Sequence, residues 1–79
     1  MADDVAQTLE EAIRRGYRKL PPIEARTAAA RFGAAIMKGN CATLPPGAIC
    51  AEYACVNGVK LVMYCDGAKG CTEHYEAPC

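Results

Sequence analysis

Six cysteines fall between Cys41 and Cys79, and the first forty residues contain none. In a chain of 79 residues, that asymmetry restricts the fold more than any other feature. A polymer this short buries only a modest share of its surface, so an apolar core alone leaves little net stability. Cross-links, a metal or a partner must supply the rest. The cysteine count is even, and successive cysteines are separated by 8, 4, 9, 5 and 7 residues. Zinc and iron–sulfur sites favour a pair about two to four residues apart, because a tight knuckle must aim both sulfurs at one ion. Only Cys50 and Cys55 approach that spacing, and His74, close to Cys71, lacks a second clean pair. The reading is three disulfides among Cys41, Cys50, Cys55, Cys65, Cys71 and Cys79, formed in a secreted or other oxidising compartment. A thiolate metal-binding protein is the third-ranked reading.

The strongest β signal lies inside this half. Cys50 to Val56 and Val59 to Cys65 flank Asn57-Gly58, the pair that specifies a two-residue type I′ hairpin. That turn predicts Val56 opposite Val59, Tyr53 opposite Val62 and Cys50 opposite Cys65. One face then carries Cys50, Glu52, Ala54, Val56, Val59, Leu61, Met63 and Cys65, and is expected to be the core face. In this register Cys50 and Cys65 either bond together or point at one cluster. Cys55, on the other face, is expected to pair with Cys71 or Cys79. Pro46-Gly47 suits a type II turn, and Cys71 to Glu76 is a candidate third strand.

The first forty residues read as helical. Val5, Leu9, Ile13 and Tyr17 recur every four residues, which predicts an amphipathic helix over 4–19 capped by Asp3 or Asp4, with Glu10–Arg14 and Glu11–Arg15 as favourable pairs. Gly16 is its one blemish, and Arg18 and Lys19 suit its C-terminal end. Pro21-Pro22 ends this helix and starts another over 22–38, rich in alanine and closed by Gly39-Asn40. The expected fold is thus a small disulfide-rich α+β protein: an N-terminal helical hairpin, then a disulfide-bonded β-hairpin or three-stranded antiparallel sheet. Residues 1–40 form a helical segment, either a leader or part of the fold, and residues 41–79 form a cysteine-rich β domain.

Nine basic and nine acidic residues cancel, so no overall field draws the chain to nucleic acid. Nothing is long and apolar enough to predict a transmembrane segment. The acidic start, Met1-Ala-Asp-Asp, is not a secretory signal peptide. No serine is present, and His74 has no nucleophile and orienting group beside it, so no enzyme is predicted and no cofactor is implied. From Cys41 onward the chain is broadly similar to small cysteine-rich peptides such as knottins, but it lacks adjacent cysteines and its intervals are more even.

Two surfaces are candidates for contact with a protein partner. Leu44, Pro45, Pro46 and Gly47 form a loop pre-organised by prolines and flanking cysteines. Tyr53, Tyr64 and Tyr75 with Met63 supply the residue types favoured in binding hot spots. The leading function is a small exported cysteine-rich binding peptide: an effector, toxin-like molecule, inhibitor or signal. The alternative is a small structural or accessory subunit that docks a larger assembly through its Ala-rich helix.

Overall fold

The computed structural model describes residues 5–79, apart from the side chain of Ala29. Seven elements follow in chain order: α1 (Leu9–Arg14), β1 (Arg18–Lys19), α2 (Pro22–Phe32), β2 (Ile36–Met37), β3 (Ile49–Glu52), β4 (Val59–Cys65) and β5 (Cys71–Pro78). The strands form one antiparallel five-stranded sheet in the order β1-β5-β4-β3-β2. Its centre is the β3–β4–β5 meander of the cysteine-rich half. Both edge strands come from the first forty residues.

The first helix is shorter than its apolar repeat suggests, for local reasons. Thr8 Oγ1 accepts the Glu11 amide at 3.1 Å, and the Glu11 carboxylate accepts the Gln7 amide at 3.1 Å. This is a Thr-x-x-Glu start signal. Gly16, at φ 81°, closes the helix: Tyr17 N–H donates to Ala12 C=O and Gly16 N–H to Ile13 C=O, both at 3.0 Å. That pair of bonds is the Schellman arrangement, in which glycine at positive φ is the ordinary choice. Val5 therefore lies before the helix, and Arg18 and Lys19 form a strand. The Asp3 or Asp4 cap lies outside the described residues.

The second helix stops at Phe32 because Gly33 adopts φ 82°, ψ −152°, a region open essentially to glycine alone. Residues 33–38 then turn back, and Ile36–Met37 pairs with β3. The expected helical hairpin is not formed. Alternate residues of β4 point to opposite faces. Val62 and Tyr64 pack with Val5, Ala6, Ala12 and Leu9 on one face, while Leu61 packs with Leu20, Ala25, Ala28 and Phe32 of the α2 layer on the other. The helices cover opposite faces of the sheet, so they do not pack as a pair.

The Asn57-Gly58 turn is present, with φ 55° and 80° and Val56 bridged to Val59. Beyond it the register departs from the two-residue expectation. Tyr53 N–H donates to Leu61 C=O, Glu52 pairs with Val62, and a further irregularity at Cys50 sets Ile49 opposite Tyr64. Each extra residue on the bulged strand transfers the following side chains to the other face. Tyr53 thus joins Leu61 and Phe32, not Val62. Cys65 pairs with Cys71 of β5, not with Cys50. The expectation of a single core face also fails, since Leu61, Val62 and Tyr64 are all fully buried.

Candidate binding surface

The loop between Cys41 and Cys50 is held from inside. Asn40 starts it, its side-chain oxygen accepting the Ala42 amide at 2.8 Å and its carbonyl the Thr43 and Leu44 amides. Leu44 folds inward against the buried Cys41, Cys50 and Cys65. Pro45 C=O accepts the Ala48 amide at 3.2 Å across Pro46-Gly47, and Gly47 has φ 86°, the type II geometry. Gly47 is tied on both sides: its N–H donates to Cys65 C=O at 2.9 Å, and its C=O accepts the Leu9 amide. Of the four predicted loop residues, Leu44 is turned inward and Gly47 is pinned. Pro45 and Pro46 form the exposed tip.

The tip is continuous with α1. Gly47 meets the start of that helix, and Ile13, one turn further on, is 60% exposed. Leu9, Ile13 and Pro46 form the apolar wall of a shallow groove of about 450 Å³, and Glu10, Asp66 and Glu73 supply its carboxylates. Asp66 is fixed there: it accepts the Ala68 and Gly70 amides and the Thr72 hydroxyl at 2.7, 2.9 and 2.6 Å. Those bonds, led by Thr72, hold its carboxyl below the usual range. Glu73 pairs with Lys19 at 3.4 Å. The four-residue repeat sets Ile13 in line with Val5, Leu9 and Tyr17, yet it is exposed. The Thr8-x-x-Glu11 signal shortens the helix and leaves this residue on its outer side.

The predicted aromatic surface is largely interior. Tyr64 and Tyr75 are buried, edge to face with centroids 5.8 Å apart. Tyr53 packs edge-on against Phe32 at 6.4 Å, and Met63 leans on the cysteine cluster. Burial raises the Tyr64 hydroxyl far above its ordinary pKa. Tyr64 and Tyr75 thus belong to the core, whereas Tyr53 and Met63 remain half-buried. On α2, Ala25 and Ala28 are turned inward and Ala30 is exposed.

Three disulfides link Cys41 to Cys65, Cys50 to Cys71 and Cys55 to Cys79. His74 is half-buried on β5, with Nδ1 2.9 Å from the Thr72 carbonyl. It lines a second groove, of about 530 Å³, between α2 and the β1–β5 edge. At the opposite end of the sheet, Glu52 joins Lys60 at 2.7 Å and Lys38 at 3.1 Å. Its burial pushes the carboxyl pKa up, but the two lysines more than offset that and leave it lowered. No helix among the described residues is long and apolar enough to cross a membrane. No family model, curated protein or solved structure matches the chain.

Proposed function

We propose that the chain is a small exported cysteine-rich binding protein without catalytic activity. It acts as an effector, toxin-like molecule, inhibitor or signal, and engages a protein partner through the Pro45-Pro46 tip and the adjoining Leu9 and Ile13 wall. The observation that carries this reading is an exposed apolar tip on an internally fixed loop. The Gly47 hydrogen bonds and the Cys41–Cys65 and Cys50–Cys71 bridges hold the backbone in place, so a partner meets a surface whose ordering entropy is already lost. Three disulfides support an oxidising destination. Glu10, Asp66 and Glu73 around the groove favour an extended segment carrying an apolar side chain beside a basic one.

Panning a random-peptide library on the immobilised, oxidised chain tests the proposal. Selected peptides converge on a basic–apolar pattern. Ile13→Asp weakens them by roughly tenfold or more, as for a central contact residue. Ile23→Asp, at an exposed position of α2, leaves them bound. Selections without a consensus, or peptides indifferent to Ile13→Asp, overturn this surface.

A further inference from the structure

Two of the three bridges lie against each other. The sulfurs of Cys41, Cys50 and Cys71 are all within 4.8 Å of one another, and the fourth member, Cys65, is bonded to Cys41. The sheet brings these residues together: Cys50 is on β3, Cys65 on β4 and Cys71 on β5, with Cys65 and Cys71 directly paired across adjacent strands. Cα separations within the bridges are 5.5 and 6.0 Å. Cys41, Cys50 and Cys65 are buried, whereas Cys55 and Cys79 are exposed and stand apart. The other two apolar clusters contain no cysteine.

We propose that the reduced chain binds one zinc ion through Cys41, Cys50, Cys65 and Cys71, in the volume the two inner disulfides occupy. Two equivalents of a dithiol reductant transfer four electrons and four protons, converting both bridges to four thiols and the reductant to two disulfides. Zinc then displaces four protons and is held by four thiolates. A tetrahedral ion with Zn–S bonds of about 2.3 Å needs sulfurs about 3.8 Å apart. The Cys41, Cys50 and Cys71 sulfurs already lie within 4.8 Å of one another, and Cys65, released from Cys41, has to turn toward them to complete the set. The short knuckle that sequence spacing lacks is replaced by three neighbouring strands. The all-sulfur set, three of its members buried and Cys71 half-buried, suits a soft-ligand structural site. The chain would hold its fold by disulfides in an oxidising compartment and by zinc in a reducing one, an inference independent of the binding surface above.

The test uses the full chain with Cys55→Ala and Cys79→Ala, reduced anaerobically by a phosphine and titrated with Co²⁺ as the spectroscopic probe, then with Zn²⁺. The expected result is a one-to-one end point with tetrahedral sulfur-ligated Co²⁺ absorption that Zn²⁺ abolishes. The near-UV circular dichroism of the buried Tyr64–Tyr75 pair returns to its oxidised form in the same titration. Adding Cys50→Ala removes the one-to-one end point. The proposal is overturned if the reduced chain shows no stoichiometric Co²⁺ spectrum, or takes up metal without recovering the tyrosine signal. Insensitivity of the end point to Cys50→Ala overturns it too.

Discussion

Tyr64 is fully buried, and its hydroxyl donates to the Ala6 carbonyl at 2.9 Å, while the Ala6 amide donates to the Tyr17 hydroxyl at 3.1 Å. Two tyrosines thus satisfy both backbone groups of one residue in the covering segment. Tyr64→Phe leaves a buried carbonyl unpaired, and the expected loss is about 1–3 kcal/mol in denaturant unfolding. The pH dependence follows from the same burial. An unfolded tyrosine ionises near its ordinary 10.0, but the folded hydroxyl keeps its proton well beyond that. Above this pH the unfolded state binds fewer protons, so stability falls as pH rises. Tyr64→Phe should flatten that alkaline decline; an unchanged slope would assign it elsewhere. Glu52 acts in the opposite direction. Its lowered carboxyl contributes stability above the ordinary 4.5 that is lost as pH falls through the folded value, and Glu52→Gln should reduce the acid-side slope. Gly33→Ala tests backbone conformation alone, because nothing lies within 4 Å of the position a Cβ would take. Strain at φ 82° should cost about 1–3 kcal/mol, and a neutral thermal shift would mean that the helix end can relax.

Among the elements, the disulfides separate chain entropy from packing. The Cys50–Cys71 and Cys55–Cys79 links span 21 and 24 residues. Loop-closure entropy therefore differs between them by only about 0.1 kcal/mol. Cys50 is fully buried and Cys55 exposed. Replacing the Cys50–Cys71 pair with alanines should cost about 1–2 kcal/mol more than replacing the outer pair, through the void it leaves. Equal losses by urea unfolding would show that entropy alone decides. The elements also differ in how readable they were. Asn57-Gly58 announced its turn because two residues at positive φ leave little other choice, and the cysteine spacing announced the cross-links. Tyr53 and Cys50 escaped because bulges are set by what each side chain must reach, and Cys55 must meet Cys79 while Tyr53 meets Phe32. Thr8 and Gly16 carried local start and stop signals that a four-residue apolar repeat outweighed, and the stop signal of Gly33 was outweighed by the alanine richness around it. Arg18–Lys19 and Ile36–Met37 are strands only because β5 and β3 offer edges to pair with, and two-residue strands have no pattern of their own. The exposed Ile13 followed from the misplaced helix start, so the candidate surface was legible at Pro45 and Pro46 and hidden at α1.

For the whole molecule, the three bridges all lie within residues 41–79, whereas the cover over both sheet faces comes from residues 5–32. Val5, Ala6 and Ala12 shield Val62, Tyr64 and Tyr75, and Leu20, Ala25, Ala28 and Phe32 shield Leu61. Salt bridges of Arg18 to Glu24 and Glu76, and of Lys19 to Glu73, pin one edge, and Lys38 with Glu52 pins the other. Uncovering four large apolar side chains removes on the order of 1.5–3 kcal/mol of burial for each, comparable in total to what the bridges contribute. The covalent half should therefore depend on the non-covalent half to select its pairing. A peptide of residues 41–79, oxidised alone in a glutathione buffer, is expected to give several disulfide isomers and to bind a hydrophobic dye. The full chain should give one isomer with Cys41–Cys65, Cys50–Cys71 and Cys55–Cys79. Adding a separate peptide of residues 1–40 should shift the mixture toward that isomer, seen as one peak by reversed-phase chromatography and mass mapping. If residues 41–79 reach the native pairing unaided and exclude the dye, the first forty residues are a detachable leader and their burial against the sheet is dispensable to the fold.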